Sequence, residues 1–105
     1  MVRHISIFKF KNLPEKEENI LRVRAYLEAM PSRCPLIKKQ IIAVPAVPTP
    51  TVPEDAPLMF GDLVQICDFE NTADAGTYPT TTAHIQLTEL SNSMVQKVTA
   101  IDYEL

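Results

Sequence analysis

Arg3-His4-Ile5-Ser6-Ile7-Phe8-Lys9-Phe10-Lys11 is the stretch that decides the fold of this chain. Side chains on a strand point alternately to two faces. Alternation puts His4, Ser6, Phe8 and Phe10 on one face, and Ile5, Ile7, Lys9 and Lys11 on the other. Both faces carry apolar residues, which suits a strand covered on two sides. Residues 59–69 repeat the pattern. There Leu63, Gln65, Cys67 and Phe69 share a face opposite Val64 and Ile66.

Between these two strands Pro14 opens a helix, where a missing N–H is harmless. Glu15, Glu17 and Glu18 follow at its positive end. Ile20, Val23, Leu27 and Met30 recur at helical steps and make one apolar stripe. Met30-Pro31 is expected to stop the helix. Residues 36–44 read as a second, weaker strand. Residues 45–58 hold five prolines, at 45, 48, 50, 53 and 57. Proline cannot enter a sheet interior or a helix, so this is expected to be a loop. After residues 59–69, Asn71 and Asp74 suggest the cap of a short helix. A further helix is expected over 82–94 and a fourth strand over 96–104.

The order is β-α-β-β-α-β. It predicts an α+β, ferredoxin-like domain, a four-stranded antiparallel sheet with both helices on one face. The other face stays open, and here it is apolar. Large apolar patches usually meet a partner, so a homodimer with two sheets packed face to face is expected, closing into an α+β barrel.

With 105 residues, one domain spanning 1–105 is expected. The net charge of -3 and the absence of a basic stripe give nucleic acid nothing to bind. No run of eighteen apolar residues exists, so no membrane-spanning helix is expected. The opening residues lack a signal-peptide pattern, and a cytoplasmic protein is expected. Cys34 and Cys67 have no CxxC or histidine spacing and are expected to be free thiols, with Cys67 buried in a strand. No cofactor and no metal is called for: two histidines without patterned carboxylates fall short of a ligand set.

The chemistry-bearing stretch is Gly76-Thr77-Tyr78-Pro79-Thr80-Thr81-Thr82-Ala83-His84. It joins a phenol, an imidazole and a run of hydroxyls. The threonines suit turn and cap roles. No acid partner for a serine or threonine nucleophile is visible in the sequence.

Taken together, the opening Val2 to Lys11, Asp68-Phe69-Glu70 closing a strand, Ala83-His84 opening a helix and Val98 to Glu104 resemble the stress-responsive A/B barrel (Dabb) family. The resemblance covers nearly the whole chain except the proline loop. It implies a ferredoxin-like dimer whose two sheets form a barrel. Within that family, the resemblance extends to a plant polyketide cyclase. The pocket of that enzyme uses a histidine opening the last helix, a tyrosine six residues earlier, a histidine near the start of strand one and a tyrosine on the first helix. His84, Tyr78, His4 and Tyr26 stand at the matching places. The family's His-Pro-Ala-His becomes Thr81-Thr82-Ala83-His84 here, so its first histidine is lost. The glycine and asparagine that commonly follow strand two are replaced by Ala43-Val44-Pro45.

The implied roles are chemical ones. A neutral imidazole at His84 can take a proton from carbon beside a carbonyl. The Tyr78 phenol can donate to the enolate oxygen that forms. Together they would drive an aldol cyclisation of a poly-β-keto chain, with His4 and Tyr26 as ligand-binding residues for a small, largely apolar molecule. The rival expectation is a non-catalytic stress-related dimeric module, in which His84 only supports the fold.

Overall fold

The computed structural model describes residues 1–53 and 55–105. Four strands, β1 (Val2–Phe10), β2 (Ile37–Ala43), β3 (Leu63–Phe69) and β4 (Val95–Glu104), form one sheet in the order β2-β3-β1-β4, every neighbour antiparallel. Helices α1 (Lys16–Glu28), α2 (Met30–Arg33), α3 (Thr72–Thr77) and α4 (Thr82–Ser91) complete the expected ferredoxin-like α+β arrangement. A 3₁₀ turn, Tyr78–Thr80, joins α3 to α4.

Alternation along β1 is realised as expected. Val2, Ser6, Phe8 and Phe10 are buried on the helical side with Leu63, Gln65, Cys67 and Phe69 of β3. Ile20, Val23, Leu27 and Met30 form the covering stripe of α1 and α2, all buried. Each such side chain contributes ~1.5–3 kcal/mol through its removal from water. Cys34 and Cys67 are free and buried.

As expected, α1 stops just before Met30-Pro31, at Glu28; Pro31 then sits in the first turn of the separate short helix α2, where it lacks no needed N–H. Other boundaries differ from the sequence expectation. The strand expected from residue 59 begins only at Leu63. Asp62 takes over instead: its N–H donates to Phe8 O at 2.8 Å, and its carboxylate accepts from Phe10 N at 2.8 Å and pairs with Lys16 Nζ at 3.3 Å. The last helix stops at Ser91 rather than Met94, though Met94 is still buried. The expected proline-rich loop, 45–58, holds no helix or strand among the described residues; Glu54 lies outside them.

The face away from the helices carries a row of isoleucines. Pairing registers Ile41 with Ile66, Ile66 with Ile5, and Ile5 with Ile101, one from each strand. Ala43, Val64, Ile7 and Thr99 form a second row beside it. In the single chain Ile101 is 61% exposed and Ile41 51%. Among the described residues, no helix is long and apolar enough to cross a membrane.

Candidate active site

A cavity of about 320 Å³ opens between α4 and the β1–β4 side of the sheet. Its walls include Ser6 and Phe8 of β1, Gln65 of β3, His84 and Leu87 of α4, and Val95 of β4. The volume lies at the lower end of the range for small-molecule sites.

His84 is placed by a cap. The Thr81 hydroxyl accepts from His84 N at 3.3 Å and donates to Tyr78 O at 2.7 Å, tying the turn to the start of α4. The imidazole itself makes no hydrogen bond to a described residue. Burial, and then the neighbouring His4, push its pKa below the ordinary histidine value. A neutral ring at neutral pH follows.

Tyr78 is 1% exposed and stands edge-on to the His84 ring, centroids 4.9 Å apart at 80°. Its oxygen accepts from Gln65 Nε2 at 3.1 Å. Gln65 Nε2 also donates to Gln40 Oε1 at 3.0 Å, and Gln40 Nε2 donates to Leu27 O at 2.8 Å. This buried chain runs from α1 through two strands to the phenol. Burial raises the Tyr78 pKa far above its ordinary value, so the hydroxyl keeps its proton.

The His4 ring also packs edge-on against Tyr78, centroids 5.6 Å apart. Both its ring nitrogens are engaged: Nδ1 with Asp102 Oδ1 at 2.5 Å, Nε2 with the Ser6 hydroxyl at 2.6 Å. Three of the four residues singled out from sequence, His4, Tyr78 and His84, are thus in one cluster. Only His84 faces the cavity; Tyr78 sits behind its wall. Tyr26 is placed differently. Its hydroxyl donates to Ala83 O at 2.7 Å, and the Arg33 guanidinium stacks on its ring at 4.5 Å. It fastens α1 to the residue before His84 and does not line the cavity.

Gln65, Ser6 and Asp102 gained no role from sequence. A glutamine on an otherwise apolar strand face was the available signal for Gln65, since a buried amide must find partners. Nothing local pairs Asp102 with His4, ninety-eight positions away. Among the described residues no group of three or more His, Cys, Asp and Glu could hold a metal ion.

The fold belongs to a known family. Residues 2–105 match the stress-responsive A/B barrel domain, and the chain is a member of that family. The fold is shared with solved structures of low identity. A dimeric protein of unknown function with a ferredoxin-like fold from Bacteroides fragilis is 21% identical, with a TM-score of 0.79 over 99% of this chain and 95% of that one. A dimeric ferredoxin-like protein of unknown function from Thermobifida fusca is 17% identical, with a TM-score of 0.74 over 99% and 90%. A hydroxynitrile lyase from Passiflora edulis is 14% identical, with a TM-score of 0.78 over 99% and 92%. No curated protein sequence matches the chain.

Proposed function

We propose that this protein is a homodimer that binds a small, largely apolar molecule in the cavity beside α4 and transfers a proton on it. The observation that carries this is His84: an imidazole without a hydrogen-bond partner among the described residues, held below its ordinary pKa, on the wall of a 320 Å³ cavity. Such a ring is a base at neutral pH. In its most concrete form the reaction is an aldol cyclisation of a poly-β-keto chain, as the resemblance to olivetolic acid cyclase suggests. His84 removes a proton from the carbon between two carbonyls. The Tyr78 oxygen accepts from Gln65, which leaves its O–H free to donate a hydrogen bond to the enolate oxygen once ligand entry opens the wall between them. The enolate carbon then bonds to a distal ketone carbon, whose oxygen takes the proton back from His84. His4 meets the ligand through Ser6, and Tyr26 holds the start of α4. No cofactor enters these steps. The four-strand row of isoleucines supports the dimer, because an open apolar face of this kind is costly in water. A cytoplasmic setting belongs to the same proposal.

The near-complete burial of Tyr78 favours a second function, a non-catalytic dimeric module whose cavity takes no ligand. His84→Ala separates the two. Incubation with a linear tetraketide (3,5,7-trioxo) thioester, followed by chromatography, should show aldol-cyclised product with the natural chain and none with the variant, while both remain folded dimers. Equal product yields, or a variant that melts early and loses the dimer, would make His84 a structural residue.

A further inference from the structure

Ser6, His4 and Asp102 stand in the order of a nucleophile, its base and the carboxylate that orients the base. Ser6 and His4 sit two positions apart on one face of β1, and Asp102 is the β4 residue registered opposite His4. Side chains so paired share a face and come within reach of one another. With Nδ1–H donating to Asp102 Oδ1, Nε2 is left to accept the Ser6 hydroxyl proton, at 2.6 Å. Ser6 is itself 5% exposed, and it lines the 320 Å³ cavity. His4 is the one side-chain partner of Ser6 among the described residues. The constellation is recognised by geometry and roles rather than by position in the chain.

We propose that Ser6 is an acyl-accepting nucleophile, making this cavity an acyl-transfer site for small esters or thioesters with an apolar acyl group. This goes beyond the proton-transfer function above and uses neither His84 nor Tyr78. In the first half-reaction Ser6 Oγ bonds to the carbonyl carbon and its proton passes to His4 Nε2. The carbonyl carbon then releases the alcohol or thiol, which leaves with the proton from His4. In the second half-reaction water attacks the Ser6 ester, His4 again carrying the proton, and the free acid departs with Ser6 restored. Asp102 is a positioning residue that holds the His4 tautomer. Phe8, Leu87 and Val95 supply the apolar wall for the acyl chain.

The test uses the full chain with p-nitrophenyl butyrate and, separately, a fluorophosphonate probe. The expected results are a burst of p-nitrophenol and one phosphonyl group per chain, mapped by peptide mass spectrometry to Ser6. Ser6→Ala should lose both. Ser6→Cys keeps the shape and should accumulate a butyryl thioester visible by intact mass, which covers the case in which Ser6→Ala misfolds. Asp102→Asn should slow phosphonylation at least tenfold, toward the ~10⁴-fold loss seen when a triad carboxylate is replaced, at an unchanged melting temperature. A natural chain unlabelled at Ser6, or a Ser6→Cys chain that never acylates, would overturn the proposal and leave the three groups as a hydrogen-bond network that holds β4 to β1.

Discussion

Replacing Gln65 by leucine tests the buried chain that sets the back wall of the site. Gln65 is 1% exposed and its amide donates to Gln40 Oε1 and to the Tyr78 oxygen. Leucine fills a similar volume but leaves both acceptors without that donor, the Tyr78 oxygen fully buried and the Gln40 amide half-buried. The orphaned Tyr78 oxygen costs ~1–3 kcal/mol, the half-buried Gln40 amide less, and the extra apolar burial offsets part of the sum, so a net loss of about 1–3 kcal/mol follows. That is a large share of a stability of ~5–15 kcal/mol. At ~4–8 °C per kcal/mol the melting temperature should fall by about 4–24 °C. Tyr78→Phe alone removes one acceptor and should cost about 1 kcal/mol. In the Gln65→Leu background the same change removes an orphaned hydroxyl and should cost nothing or stabilise. The cycle therefore carries a coupling on the order of 1–2 kcal/mol. Urea melts followed by circular dichroism measure all four chains, at one protomer concentration because dimerisation links stability to concentration. Additivity within ~0.5 kcal/mol would refute the claim that Gln65 and Tyr78 act as a unit.

The remaining expectations are brief. His84 must be neutral to act as a base, and its pKa lies below the ordinary value, so turnover should decline only after pH falls below ~6.5. Stability has the same sign: as pH drops through ~6.5 the unfolded chain binds the proton first, so the contribution present above that pH is lost on acidification. An acid limb centred above ~6.5 would contradict the lowered pKa. Ile101→Glu places a charge in the isoleucine row and should yield monomers by analytical ultracentrifugation, whereas a natural chain that sediments as a monomer would end the dimer proposal. Gly61 lies over Ile7, and a Cβ there would collide with the Ile7 γ2 methyl. Gly61→Ala should therefore cost ~1–3 kcal/mol in the same urea melts, and a neutral result would show that this segment moves freely. Cys67 is pushed up to about 12 by burial, so a thiol reagent at pH 8 should leave it unmodified until the chain unfolds.

Element type was legible wherever a local period carried it. β1 showed its two faces within nine residues, and α1 with α2 their stripe within eleven. The Asn71 cap was readable too, and its side chain does accept from Asp74 N at 2.9 Å. Boundaries were less legible where a distant group competed. β3 starts late because Asp62 bonds to Phe8 and Phe10, partners more than fifty positions away. The site was legible in part. His4, Tyr78 and His84 come together as the family pattern implied, yet Tyr26 is held by Ala83, and Tyr78 lies behind the cavity wall.

Periodicity within a few residues is enough to choose helix or strand, because the choice rests on which side of a short segment meets water. By itself, then, the sequence determined the β-α-β-β-α-β order, the apolar second face of the sheet and the turn that presents His84. Strand order and register were settled only by closing the whole sheet. That closure set Asp102 against His4, seated Ser6 on the cavity wall and threaded Gln40 and Gln65 to the Tyr78 phenol. Groups so far apart along the chain meet only when every intervening element has packed, so their hydrogen bonds leave no local trace in the sequence.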